Sequence, residues 1–146
     1  MTLYELVNLI KQISQNHSMV NTFGEGDIYD YVDSGGEIKY PVCWLVNEPS
    51  VFDTNGVMSY SILLIFGDLL VEDKSNRLQI QSDQLQVALD FISELKLNNE
   101  LFTNISDSIN IDYFQERFDD FTAGVSVRFS IRNPYPLNYC SKPQPI

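Results

Sequence analysis

The sequence predicts an α+β fold in which an antiparallel β-sheet carries two main helices packed on one face. Two segments have apolar residues at helical spacing, and four have the alternating or continuously apolar pattern of strands. These segments follow one another as helix, two strands, helix, two strands. Strands joined by short polar links pair antiparallel by default, so the helices are expected to cover one side of a single sheet.

The first helix is predicted by a capping pattern followed by one apolar stripe. Thr2 and Glu5 have the spacing of a capping box, in which each side chain bonds an otherwise unpaired amide of the first turn. The stripe has helical spacing and consists of Leu3, Leu6, Val7, Ile10 and Ile13. The helix is expected to end near His17.

A glycine-rich, acidic segment follows. Residues 22–39 contain four glycines and five carboxylates. We expect a loop there, with one short ordered piece at residues 28–32.

The next two strands are predicted to form an antiparallel pair. Residues 40–46 are apolar on both faces, which is typical of a strand covered on both sides. Residues 47–56 hold Pro49 and Gly56 and predict a turn. Residues 57–66 then alternate, and the members of one face are Met58, Tyr60, Ile62, Leu64 and Phe66.

The second helix is expected to begin at Ser82, a favourable N-cap residue. Asp83 would complement the positive helix start, and Lys96 lies near the negative end. The stripe predicted to be buried consists of Leu85, Ala88, Leu89, Ile92 and Leu95.

The last two strands are predicted at residues 108–114 and 125–132, paired with each other. The final strand has one apolar face, Val125, Val127, Phe129 and Ile131, and one polar face, Ser126, Arg128, Ser130 and Arg132. It should stop at Asn133 and Pro134, because proline cannot donate to a ladder. Residues 1–132 are therefore interpreted as one α+β domain. Residues 133–146, the C-terminal tail, are interpreted as a Pro-rich docking segment.

Charge and composition narrow the function classes. The chain has 146 residues and a net charge of -11, and its nine basic residues are scattered, which argues against direct nucleic-acid binding. No apolar run is long enough to span a bilayer, so we expect no membrane partner. A disulfide between Cys43 and Cys140 is possible, but the sequence does not support one. A soluble protein made in a reducing cytoplasm is the simplest expectation.

Candidate chemical groups each have a simpler explanation. His17, the one histidine, is interpreted as a solvated helix-end residue near terminal carbonyls rather than a general base. Asp27, Asp30 and Asp33 recur every third residue and could gather a hard cation, but an exposed acidic loop is favoured.

The remaining candidates are polar pairs and aromatic residues. Asp119 and Asp120 could form a carboxylate pair for acid–base chemistry, but they are more simply interpreted as residues of the turn that joins two strands. Trp44 and three tyrosines suggest either a pocket or, more simply, an aromatic core cluster; the tyrosines are Tyr29, Tyr31 and Tyr40. Arg128 and Arg132 either meet carboxylates, within or between subunits, or keep an exposed strand soluble.

The order and spacing of several short segments resemble one family. They are Tyr40-Pro41-Val42, Phe66-Gly67-Asp68-Leu69-Leu70, Ile80-Gln81-Ser82-Asp83-Gln84-Leu85-Gln86, Phe121-Thr122-Ala123-Gly124, Asn133-Pro134 and Asn138-Tyr139-Cys140. The chain resembles small phage neck and tail-completion proteins, including tail terminators and head–tail joining proteins, of the crAss-like and other Bacteroidetes phage type.

The resemblance implies a structural virion protein with no enzymatic activity and no cofactor. It implies a homo-oligomeric ring of about six or twelve copies, made in the bacterial host cytoplasm and placed between portal, neck and tail tube. DNA would pass through the ring without specific binding, because an acidic lumen repels phosphates.

Two subunit contacts are hypothesised. The face with Arg128 and Arg132 would meet the acidic loop of a neighbour, with Asp27, Asp30 and Asp33. The tail residues Asn133, Pro134, Tyr135 and Tyr139 would reach over the next subunit or dock on an adjacent ring. The alternative functions are a small acidic DNA-mimic inhibitor of a host nucleic-acid enzyme and, third, a hydrolase or metal enzyme that uses the aspartates.

Overall fold

The computed structural model describes residues 2–27, 38–97, 105–106, 108–115 and 122–134. Within these ranges the chain forms two helices and five strands. In chain order they are α1 (Leu3–Asn16), β1 (Thr22–Glu25), β2 (Val42–Asp53), β3 (Val57–Leu69), α2 (Arg77–Leu97), β4 (Asn110–Gln115) and β5 (Thr122–Pro134). The α+β class is confirmed, and both helices pack against the sheet.

The sheet has the order β1-β2-β3-β5-β4 and is mixed rather than purely antiparallel. All neighbours pair antiparallel except β1, which runs parallel to β2. The predicted loop at residues 22–39 is therefore wrong for its first four residues. A parallel pair needs a long connection, and residues 26–41 are long enough to provide it. A strand of four residues is too short to reveal a period.

The strands β2 and β3 form the predicted antiparallel pair, but β2 is longer than expected. The predicted turn at residues 47–56 is wrong up to Asp53, because β2 continues to that residue. The register shifts between Glu48 and Val51, so that two residues, Pro49 and Ser50, lie opposite Tyr60. This β-bulge accommodates a proline inside a strand.

The longest ladder joins β3 to β5 through thirteen consecutive residue pairs, from Val57 with Pro134 to Leu69 with Thr122. The apolar face predicted for the final strand is confirmed, since all four of its residues are buried in the main core. The pairing of β4 with β5 is also confirmed. β5 includes Asn133 and Pro134, which pair with Met58 and Val57, and the residues after Pro134 lie outside the described ranges.

The helices fill the face of the sheet that carries this core. The N-cap at Thr2 is confirmed, because its hydroxyl accepts a hydrogen bond from the Glu5 amide at 3.1 Å. In α1, Leu6 and Ile10 are fully buried, whereas Leu3, which was predicted to belong to the buried stripe, is 40% exposed. In α2, Phe91 packs edge-to-face on a β3 phenylalanine, with ring centroids 4.9 Å apart.

The second helix begins five residues before the predicted cap. An Asx turn precedes it, in which the Ser75 amide donates to Asp73; hydrogen bonds from Ser75 hold the pKa of the Asp73 carboxyl below its usual value. Ser82 therefore lies on an exposed helix face rather than at a terminus. The buried face of α2 is also rotated from the predicted stripe: Val87 and Phe91 are buried, whereas Leu89, predicted to be buried, is 41% exposed.

The sheet face turned away from the helices, here called the outer face, is covered by aromatic rings near the start of β2. The register places Val42, Gly67, Gly124 and Phe114 in one row across four strands. A Cβ on Gly67 would lie 3.4 Å from Cζ of Phe114. The double-sided burial predicted for residues 40–46 is confirmed for residues 42–45, since Val42 and Trp44 on the outer face and Cys43 and Leu45 on the helix side are all buried. Tyr40, Pro41 and Val46 are half-buried.

We expect Gly124→Ala to destabilise the fold by about 1–3 kcal/mol or more. A Cβ at Gly124 would clash with the Phe66 carbonyl oxygen, a backbone atom of the neighbouring strand. Its cross-strand partner Gly67 offers a matched control, because a Cβ there meets only ordinary contacts from 3.4 Å outward. Urea unfolding of both variants tests this, and equal losses of stability would contradict it.

Candidate assembly surface

The outer face becomes polar and exposed toward the β2–β3 hairpin tip. Two rows of the register define this part, here called the distal outer face. One row holds Glu48, Ser61 and Ser130, and the next holds Val51, Ser59 and Arg132, with Arg128 just before them. Hydroxyl groups link the strands here, with the Ser61 and Ser130 oxygens 3.3 Å apart.

One of the two predicted interface arginines has a partner inside its own subunit. Nε and Nη2 of Arg128 donate to the same Glu48 oxygen, Oε1, at 3.1 and 2.9 Å. The pair crosses over β3 to join β5 with β2. Both side chains keep solvent contact, at 51% and 24% exposure. The sequence leaves open whether Arg128 meets a carboxylate within its subunit, meets one on another subunit, or only keeps the strand soluble. In the structure Arg128 binds a carboxylate of its own subunit.

Arg132 differs from Arg128 in its surroundings. Its residue is exposed at the end of β5, beside Ser59 of β3. No ion pair to Arg132 occurs within the part of the chain that the structure describes. An exposed guanidinium in this setting can bind a carboxylate on another molecule.

The structure brings the first two tail residues to the same end of the molecule as Arg132. Asn133 pairs with Met58, and Pro134 pairs with Val57 beside the hairpin tip. The turn itself is polar, with Asp53, Thr54 and Asn55 exposed, whereas the β2 residues just before it are apolar and exposed, Val51 at 65% and Phe52 at 41%. Tyr135 and Tyr139 lie outside the described residues.

Asp27, the one acidic residue of the hypothesised contact within the described ranges, lies just beyond β1, at the edge strand of the sheet. Asp27 follows β1, where the neighbouring Gly26 amide donates to the Leu45 carbonyl at 3.1 Å. Two strands separate β1 from β5, which places Asp27 and Arg132 at least three strand spacings, about 14 Å, apart. Asp30 and Asp33 fall outside the described residues.

A groove between α1 and β1, here called the α1–β1 groove, was not found from the sequence. It has a volume of about 620 Å³, and its lining includes Leu3, Tyr4 and Val7 of α1, Phe23 of β1 and Trp44 of β2. Tyr4 is 77% exposed. One feature of the sequence could have indicated the groove: Leu3 and Tyr4 are consecutive in the first turn of α1, so the apolar stripe of the helix is wider there than the sheet can cover.

His17 forms a clamp between the two helices rather than a solvated end residue. Its Nε2 lies 3.1 Å from an Asp90 carboxylate oxygen, and its Nδ1 accepts from the Met19 amide at 3.1 Å. The ring also contacts Phe91, with centroids 5.8 Å apart. Because Nδ1 is an acceptor, the neutral ring carries its proton on Nε2 and donates to Asp90. Both nitrogens are engaged, so proton abstraction by this ring would require breaking one bond.

The other chemical candidates have structural roles or lie elsewhere. Cys43 has a free thiol that is fully buried, and burial raises its pKa far above the usual range. Trp44 and Tyr40 belong to the aromatic cluster of the outer face, as the simpler interpretation predicted, and Trp44 also lines the α1–β1 groove, as the pocket interpretation predicted. Tyr29, Tyr31, Asp119, Asp120 and Cys140 lie outside the described residues.

The described residues form neither a metal-binding group nor a membrane-spanning helix. Among them, no three His, Cys, Asp or Glu side chains come together in a group that could hold a metal ion. Neither α1 nor α2 has the length and apolar character needed to span a bilayer.

Comparison with known proteins adds no family assignment. No protein-family model matches the chain, and no curated protein sequence matches it. The function is therefore inferred from the surfaces of the molecule.

We expect Arg128 and Glu48 to be weakly coupled in stability. A double-mutant cycle with Arg128→Gln and Glu48→Gln should give a coupling free energy of about 0.2–1 kcal/mol, because both groups remain hydrated. The coupling should shrink as salt is added, since ions screen exposed charges. Urea unfolding at low and high salt measures it; a coupling that is absent at low salt would contradict the observed pair.

We expect the Cys43 thiol to be unreactive in the folded protein. Its raised pKa keeps it protonated, and the thiolate is the nucleophilic form. In a Cys140→Ser variant, a chromogenic disulfide reagent should therefore detect no fast-reacting thiol until urea unfolds the chain. Rapid reaction of the native variant would show that Cys43 is accessible.

Proposed function

We propose that this protein is a structural virion component of a phage neck or tail connector. Its copies form a homo-oligomeric ring that joins portal or neck to tail and lets DNA pass. The proposal rests on the sequence resemblance and on the placement of two chemically different surfaces. It includes no catalytic activity and no cofactor, and it locates the protein in the virion after assembly in the host cytoplasm.

The observation that carries the proposal is an exposed Arg132, without an ion pair among the described residues, in a chain of net charge -11. Asp27 lies near the opposite side of the sheet, beyond β1. A ring with head-to-tail contacts requires two different, complementary patches on each subunit, and these patches must face different directions. Two strands lie between Arg132 and Asp27, so the cationic and the acidic patch occupy different parts of the subunit, as such a ring requires.

The net charge also suits a lumen through which DNA slides. Twenty acidic residues against nine basic ones give a surface that repels phosphates unless its cations are concentrated. If Arg128 and Arg132 are used at subunit contacts, the lumen becomes more acidic still. The genome would then pass without specific binding.

We expect Arg132→Glu to lower the apparent assembly affinity by about tenfold or more, because a new carboxylate would face the neighbour's acidic residues. Native mass measurement and negative-stain images of the purified protein quantify the ring population. Lys96→Glu changes the net charge equally, at an exposed helix end, and should assemble normally. Full assembly of Arg132→Glu would remove this contact from the proposal.

Arg128 requires a different design because its reversal also breaks the pair with Glu48. The exchange Arg128→Glu with Glu48→Arg keeps an ion pair while moving the cation to β2. A loss of assembly in Arg128→Glu that the exchange restores would assign Arg128 to folding rather than to the subunit contact.

The DNA-mimic inhibitor is the second candidate, favoured by a row of carboxylates on α2, of which Asp83 and Glu94 are exposed and Asp90 is half-exposed and bonded to His17. Asp83, Asp90 and Glu94 follow at intervals of seven and four residues, which places them on one helical face. A monomer that binds a basic protein tightly, and forms no ring on any virion partner, would favour this candidate over the connector.

A further inference from the structure

We propose that the α1–β1 groove receives the C-terminal tail of a neighbouring copy as an added extended strand. The inference rests on the proposed ring and names the surface that holds one subunit to the next. It follows from the exposed groove, the outward edge of β1, the pattern of the tail and the distance between them.

The groove offers an apolar surface that the described part of the subunit leaves uncovered. Leu3 and Tyr4 are 40% and 77% exposed on its α1 side. Phe23 and Trp44 close its floor, and Trp44 is almost fully buried. A volume of about 620 Å³ lies within the range of sites that take several side chains.

The edge of β1 supplies backbone partners beside these side chains. The amides of Thr22 and Gly26 point toward β2, where they donate to the carbonyl groups of Pro41 and Leu45. Backbone groups alternate in direction along a strand, so those of Phe23 point away from β2. In the described ranges no strand pairs with that side. Such an edge is the template that an incoming extended segment uses.

The tail has the pattern of such a segment. Tyr135, Leu137 and Tyr139 occupy alternate positions, so one face of an extended chain would present all three to the groove. If the segment runs antiparallel to β1, the residues that face the groove also carry the backbone groups that face β1, so that Pro136, on the other set of positions, interrupts no bond. Lys142 carries the one charged side chain of residues 135–146.

Distance indicates that the tail belongs to another copy. The tail leaves β5 at Pro134, opposite Val57, whereas the groove lies near Trp44, opposite Ile65. Eight residue steps along β3 and two strand spacings place these points about 29 Å apart. Residues 135–139 span at most about 17 Å when fully extended. Their apolar side chains therefore cannot fill their own groove, and a head-to-tail chain of subunits results.

The test uses a full-length tail variant, Tyr135→Ser with Leu137→Ser and Tyr139→Ser, in which the grooves are left open. A synthetic peptide of residues 133–146 is titrated into it, and fluorescence of the sole tryptophan, Trp44, reports filling of the groove. We expect a saturable spectral change with the natural peptide and none with a peptide that carries the same three serines.

Paired variants locate the binding surface. Leu3→Gln with Tyr4→Gln, added to the tail variant, should weaken peptide binding by about tenfold or more. Leu78→Gln with Leu97→Gln removes two exposed leucines from α2, outside the groove, and should leave binding unchanged. Absence of a saturable response, or equal binding to both pairs of variants, overturns the inference.

The mass of the wild-type assembly separates this inference from the proposed function. A wild-type ring that persists in the tail variant overturns the groove contact and leaves the connector proposal standing. A wild-type chain that never self-associates, alone or on virion partners, overturns the ring even if the peptide fills the groove.

Discussion

The fold depends on the register of β3 against β5. Thirteen residue pairs run without a shift, so a single alignment decides which side chains of both strands face the helices. A slip by one residue would exchange the buried and polar faces of β5. The close approach of Gly124 to the Phe66 carbonyl group pins that alignment, because a side chain at this position has no room. Core packing and the distal outer face are thus set by the same ladder.

Much of this architecture was predictable because its elements are long and periodic. The alternation of β5, the stripe of α1 and the β2–β3 pairing each involve repeated spacing, and apart from Leu3 in the α1 stripe they are confirmed. The errors have physical causes. β1 is too short for a period, and β2 continues through Pro49 by means of a bulge. α2 starts at Arg77 because Asn76, another favourable N-cap residue type, takes the position that was assigned to Ser82, and its carbonyl group accepts from the Ile80 amide.

The surfaces were less predictable than the core, because they depend on which segments become neighbours. Arg128 and Arg132 look equivalent in sequence, yet Glu48 bonds the first. Glu48 itself was assigned to a turn, so its role as a partner was missed. The α1–β1 groove needs the unexpected strand β1 as one wall. The sequence does not show which exposed side chains become partners, because exposed positions have no repeating pattern that depends on such contacts.

The bulge at Pro49 and Ser50 decides which β2 side chains beyond it lie on the outer face of the sheet and which face the helices. The one additional residue places Val51 on the outer face in line with Arg132; without it, Val51 would turn toward the helix side. Adding or removing two residues of β2 beyond the bulge would leave Val51 and Phe52 on their present sides. A change by one residue would instead place Phe52 on the outer face beside Arg132 and turn Val51 toward the helix side, which exchanges an aromatic for an aliphatic contact surface.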